Sequence, residues 1–351
     1  KPGDPFFYRR WGSPTGEALS ARIAALEGGA GARLFASGMA AIAGLFIHRL
    51  SSGDRLVLTN VCYPGVPELA HHTLARMGIE VVTVDPTDLD EVREALSEPA
   101  RHVHLEVPAN PTLAVCDLPA IAEMAHAAGA EVSVDATLSA GMALRPLEFG
   151  CDWVVHSLTK YMSGHGDALG GVVVGTDADA LAALDAEATV HLGAILSPFD
   201  VHLVARGLAT LDLRTSRQYE SALQIAHWLE GRPGVTRVLH PLLPSHPQHD
   251  VAVRLGLGGC GMVCFALDDP GPAAERARTG MQTVAWAVSL GHDRSLMYYI
   301  AGDGLLETSY RMTDAQAARF LDVTGGGVFR FSVGLEHPDA LIADLEHVLQ
   351  V

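Results

Sequence analysis

The chain predicts an open α/β fold: a mostly parallel sheet flanked by helices, followed by a smaller α+β region. Three observations carry that expectation. Short apolar runs alternate with helix-patterned segments across residues 34–174, the signature of βαβ units. After Pro233 the texture changes to strand-like runs at 235–238 and 261–267 without the same alternation. The length, 351 residues, suits two domains. The expected division is an N-terminal arm at 1–15, a large domain at 16–212 and a small domain at 213–351.

In order, residues 1–15 are rich in proline, glycine and aromatics and read as an extended arm. Residues 17–26 have helical spacing and stop at Gly28-Gly29, a C-terminal cap pattern. An apolar strand at 34–36 turns through Ser37-Gly38-Met39 into an apolar helix, whose free N–H groups suit an anion. Strands at 56–59, 80–84 and 102–107 alternate with helices at 66–77, 89–96 and 118–128, and strands at 131–134, 153–156 and 171–174 follow. Residues 177–191 are helical, and 198–229 read as one long helix or a kinked pair holding the domain boundary. Residues 302–327 read as a loop over the site. No internal repeat is present.

Composition narrows the function. With 41 acidic and 24 basic residues the formal charge is −17, which argues against a nucleic-acid surface. No apolar run approaches a membrane span and no signal-peptide pattern opens the chain, so a cytoplasmic protein is expected. Five cysteines, an odd number without a CxxC pair, signal neither a disulfide framework nor a zinc site. The pairs His71-His72 and His102/His104 lack partner ligands at metal spacing, so no metal is expected.

The chemistry centres on Val154-Val155-His156-Ser157-Leu158-Thr159-Lys160-Tyr161, an apolar strand ending in hydroxyls and a lysine. Upstream, Asp135 ends a second apolar strand. Ligands of open α/β sheets bind outside the carboxyl ends of the strands. A lysine there can form a Schiff base with pyridoxal phosphate (PLP), and an aspartate can hold the pyridinium proton. The bland alternatives are a solvated loop lysine and a helix-capping aspartate.

Several stretches decide between them by resemblance: Tyr8-Arg9-Arg10, Leu26-Glu27-Gly28-Gly29, Ser37-Gly38-Met39, Glu106-Val107-Pro108-Ala109-Asn110-Pro111, the segment around Lys160, Arg206-Gly207-Leu208, Ser289-Leu290-Gly291, and Arg330-Phe331-Ser332. In this order the chain resembles the PLP-dependent enzymes of cysteine and methionine metabolism: cystathionine γ-synthase and γ-lyase, methionine γ-lyase and O-acetylhomoserine sulfhydrylase. The resemblance implies the type I, aspartate-aminotransferase-like fold. It places Lys160 as Schiff-base lysine and proton shuttle, and Asp135 on the pyridinium. Gly38, Met39, Ser157 and Thr159 surround the phosphate, Thr137 stands nearby, and Tyr63 stacks on the ring and assists proton transfer. Arg330 grips the substrate carboxylate with Asn110 and Ser289. Tyr8 and Arg10 reach a neighbouring subunit's phosphate, implying a homodimer at least and a tetramer by family habit.

Four departures from the family pattern bear on the substrate. Asp-Asn-Thr is here Asp135-Ala136-Thr137, and Gly65 stands where methionine γ-lyases place a cysteine. Val288 replaces the glutamate that the cystathionine enzymes carry before Ser-Leu-Gly, and the segment around 298–308 is rewritten. Retained cofactor residues with altered substrate residues point to family chemistry on a non-standard substrate. The expected reaction is γ-replacement through a vinylglycine-type intermediate. The alternatives are γ-elimination to 2-oxobutanoate and ammonia, and transamination on the same fold.

Overall fold

The computed structural model describes residues 6–350; the first five residues of the expected arm lie outside the described residues. A 3-10 turn at Arg9–Trp11 precedes helix α1, Pro14–Glu27. Ser13 starts α1 by accepting from the Gly16 N–H, and Gly28, at φ 74°, stops it in the left-handed region where glycine is favoured. There follow β1 (Gly31–Phe35), α2 (Gly38–Arg49), β2 (Arg55–Thr59), α3 (Gly65–Glu68), β3 (Glu80–Val84), α4 (Leu89–Ala95), β4 (His102–Glu106), α5 (Leu118–Ala127), β5 (Glu131–Asp135), β6 (Trp153–Ser157) and β7 (Gly171–Gly175). Helix α3 runs on into a π-helical segment, Leu69–Leu74.

These strands form a seven-stranded sheet in the order β1-β7-β6-β5-β4-β2-β3. From β3 to β6 all neighbours are parallel, whereas β7 runs antiparallel to β1 and β6. No crossover helix joins β6 to β7, so the chain turns back along its neighbour. Alternate residues of β6 serve opposite faces. Val154 belongs to the buried cluster that includes Leu19 and Ile23 of α1 and Ile121 of α5, and Val155 to the one that includes Ile42, Leu45 and Phe46 of α2. A parallel sheet covered on both faces explains the near-continuous apolar runs. Inside it, His102 and His104 share the Ser133 hydroxyl at 2.7 Å each.

Three helices lead away: α6 (Ala178–Leu184), α7 (Pro198–Leu208) and α8 (Leu211–Leu229). The expected long helix is thus a pair broken at Ala209-Thr210. The rest of the chain comprises β8 (Val235–Leu239), α9 (His249–Arg254), β9 (Met262–Leu267), α10 (Pro270–Gly280), β10 (Ala285–Trp286), β11 (Leu296–Ala301), α11 (Gly302–Thr308), α12 (Asp314–Thr324), β12 (Gly327–Ser332) and α13 (Pro338–Leu349). Its five-stranded sheet has the order β10-β11-β12-β9-β8, with β10 parallel to β11 and the other pairs antiparallel.

The region 302–327 corrects the expectation of a loop. It holds α11 and α12, and α12 begins with a capping box between Thr313 and Gln316 and ends at Gly325. Between them Tyr310 is buried, its hydroxyl donating to the Cys62 carbonyl at 3.0 Å. All five cysteines are buried and free.

Candidate active site

The carboxyl ends of β4, β5 and β6 open into a cavity of about 210 Å³. Ser37 caps α2 by accepting from the Ala40 N–H at 3.0 Å, and the first turn of α2 lies against the end of β6. Glycine at 38 is required there, because a Cβ would stand 2.9 Å from Ser157 Cβ and 3.2 Å from its Cα. The Ser157 N–H donates to the Thr137 hydroxyl at 2.8 Å, and the Gly170 N–H donates to Thr159 Oγ1 at 3.2 Å. The cavity wall therefore joins a helix N-terminus with several hydroxyls, the donor set that suits a phosphate.

Asp135, buried at the end of β5, accepts from the Thr137 N–H at 2.9 Å. Burial raises its pKa, opposed by the Thr137 bonds and the nearby His156 and Lys160. Lys160 extends from the turn after β6, and its Nζ donates to Ser289 Oγ at 3.1 Å. Burial and then Arg330 lower the lysine pKa, with Asp135 acting the other way. Desolvation thus brings this amine closer to the uncharged form that a base or nucleophile needs.

Arg330, on β12, donates to Asn110 Oδ1 at 3.3 Å and to the Ser289 carbonyl at 3.1 Å, and its Nε is buried without a partner. Tyr63 lies on the cavity rim, half exposed. A Cβ on Gly65 would stand 2.9 Å from Tyr63 Cε1 and 3.2 Å from Met39 Sδ, so this position is held small.

A model of the Cys/Met metabolism PLP-dependent enzymes matches residues 1–350. The chain belongs to that family. It is 41% identical to a canavanine gamma-lyase of Pseudomonas canavaninivorans, over 94% of this chain and 81% of that one. It is 37% identical to an L-methionine gamma-lyase of Pseudomonas putida, over 98% and 85%. A crystal structure of cystathionine gamma synthase from Xanthomonas oryzae pv. oryzae in complex with cystathionine superposes with a TM-score of 0.91 at 34% identity, covering 99% of this chain and 88% of that one.

The enzyme is therefore PLP-dependent, of the lyase/transferase kind that acts in trans-sulfuration, with the type I fold. The residues fit the group. Lys160 and Asp135 face one cavity, and the glycine-enforced contact between α2 and Ser157 leaves a cradle that a Cβ would fill. Gly38, Met39, Tyr63, Asp135, Thr137, Ser157, Thr159, Lys160 and Asn110 all line it. Ser289 and Arg330 join it through hydrogen bonds to Lys160 and Asn110.

The expected substrate residue Val288 is not on this wall, and neither are Tyr8 and Arg10, whose expected place is a neighbouring subunit's phosphate. Val288 is 62% exposed and turned out to solvent, next to the inward Ser289. Tyr8 and Arg10 lie beside a different cavity or on the surface of this chain, where Arg10 donates to the Val190 carbonyl and stacks over Tyr8 at 5.1 Å. Conversely, Glu106 lines the cavity although only its motif, and no role, was read from the sequence. Leu138 and Leu169 supply apolar walls that nothing in the sequence marked, and Leu290, named only as part of its motif, supplies another.

Proposed function

We propose that this enzyme catalyses γ-elimination on an amino acid with a heteroatom substituent at Cγ. The observation that carries this choice is the likeness to the canavanine and methionine γ-lyases over nearly the whole chain. The uncharged walls at Met39, Leu169 and Leu290 agree with it, since none of them pairs with the distal ammonium of cystathionine.

PLP bound at Lys160 supplies the electron sink that makes the substrate's Cα–H acidic. Arg330 holds the α-carboxylate, and Asn110 steadies the guanidinium from its other side. Asp135 holds the proton on the cofactor nitrogen. The Lys160 amine takes the proton from Cα and later that from Cβ, its desolvation keeping it basic without a permanent charge. Tyr63, on the open side, hands a proton to the departing group. In balance, the substituted amino acid and one water give the protonated leaving group, 2-oxobutanoate and ammonia.

Tyr8 and Arg10 act between subunits of a homo-oligomer, each pair completing a neighbour's phosphate site. Half-exposed Phe7, Tyr8 and Trp11 give this arm an apolar surface to cover. Light scattering and the Arg10→Ala cofactor affinity test this part.

The reaction is tested by giving the holoenzyme canavanine, methionine or O-acetylhomoserine, with and without cysteine. Release of the γ-substituent and keto-acid formation without a second substrate are the expected result. A thioether formed only with cysteine would establish replacement instead. A keto acid that keeps its γ-substituent would establish transamination.

A further inference from the structure

Ser289 stands between two nitrogen bases. Its Oγ lies 3.1 Å from Lys160 Nζ and 3.1 Å from His292 Nε2. The serine is held in place: φ is 90°, a left-handed value rare outside glycine. Its carbonyl accepts from Arg330, and the Gly291 N–H two residues on donates to Ser332 Oγ at 2.9 Å. A strained residue pinned on both sides has a fixed side-chain direction. His292 is seated as firmly. Its carbonyl accepts from Gln218 Nε2 at 2.7 Å, and its ring packs on Gly166, where a Cβ would stand 2.6 Å from Cε1. The ring's Nδ1 is buried and has no hydrogen-bond partner, which leaves the contact of Nε2 with Ser289 Oγ to orient the imidazole.

We propose that Lys160, Ser289 and His292 form a proton relay, in which His292 empties the lysine after it has taken the substrate's Cα proton. The transfer balances without any oxidant. One proton passes from the Lys160 ammonium to Ser289 Oγ as the hydroxyl proton passes to His292 Nε2, and the reverse sequence returns it. The tautomer needed carries its proton on Nδ1, the nitrogen left unpaired. The groups facing the imidazole are Lys160 and Arg294, which lower its pKa together with the larger effect of burial, and Asp293 and Asp167, which raise it. Burial thus favours the neutral ring, and the proton reaches it through the Ser289 contact at Nε2. His292 reaches the substrate only through Ser289 and Lys160, which makes it a positioning residue for their proton.

The relay rests on Lys160 as the base but not on the γ-leaving group, so its test uses norvaline, which has none. In D₂O the holoenzyme exchanges the norvaline α-hydrogen. His292→Gln slows this about 10-fold, removes the acidic limb of its pH profile, and leaves norvaline affinity within about twofold. A second readout needs no cofactor. With ¹³C-labelled histidines, the His292 signal, assigned by its loss in His292→Gln or His292→Asn, titrates below the free-histidine value and moves upward in Lys160→Ala. Unchanged exchange and pH profile in His292→Gln would overturn the relay. So would equal losses of affinity and exchange, a His292 signal indifferent to Lys160→Ala, or a wild-type enzyme that exchanges nothing.

Discussion

Glu106 and Asp135 stand in register at the carboxyl ends of adjacent parallel strands, two buried acids at the mouth of one cavity. The Glu106 oxygens accept from the Tyr63 N–H at 2.7 Å and the Asn110 N–H at 2.8 Å. One carboxyl group therefore fixes the backbone of both Tyr63 and Asn110, whose side-chain oxygen accepts from Arg330.

Burial first, and Asp135 next, push the Glu106 carboxyl up to about 8 against an ordinary 4.5. Its folded-state pKa is above its unfolded one, so its contribution to stability is complete below about 4.5 and is lost as pH rises through about 8. In melts of the cofactor-free protein, stability declines over that window, and Glu106→Gln flattens the decline. The same variant loses about 10-fold in kcat/KM, because an amide NH₂ replaces one acceptor. An undiminished slope in Glu106→Gln would assign the pH dependence elsewhere.

Four buried histidines shape the acid side: burial lowers the pKa of His102 and His104 to about 3 and that of His240 and His246 to about 4. For a depressed folded-state pKa, the stability is present above about 6.5 and lost as pH falls toward 3. Each histidine costs about 1.4 kcal/mol per pH unit in that window. Urea midpoints measured down the acid range should fall accordingly, and His104→Gln should reduce the slope by about a quarter, its share among the four histidines.

Arg330→Lys tests the carboxylate grip. An ammonium cannot reproduce a two-pronged guanidinium contact, so KM for the amino acid rises about 30-fold while kcat changes much less. Steady-state kinetics check it; a change confined to kcat would mean that Arg330 does not hold the ground-state carboxylate.

Gly38→Ala tests the cradle. Its Cβ would press on Ser157 Cβ and backbone, so α2 must withdraw. Stability falls by about 1–3 kcal/mol, and affinity for PLP falls about 10-fold as the helix N–H groups leave the phosphate. Titrating the cofactor-free variant with PLP measures the second effect directly.

Most of the sheet was legible because β-strands buried on both faces leave continuous apolar runs, as at Leu56–Leu58 and Val172–Val174. The residues expected around the cofactor share one cavity for a related reason. Gly38 starts α2, Asp135 and Ser157 end β5 and β6, and Lys160 follows three residues later in the turn after β6. The helices at 302–324 were missed although Thr313-Asp314-Ala315-Gln316 spells a capping box, because their apolar residues face a cluster with Val61 and Ala109 rather than an obvious stripe.

The sequence pointed to the α/β class and to a PLP enzyme, because apolar strand runs and family motifs are local features of the chain. Tertiary structure alone decided that Glu106 lies beside Asp135, that Val288 turns outward, and that His292 meets Ser289. The strand order and the return of the second sheet bring Ser289 to Lys160 across a separation of 129 residues. No local pattern encodes such a meeting, because it is fixed by how two separate cores pack and not by the propensities of either segment.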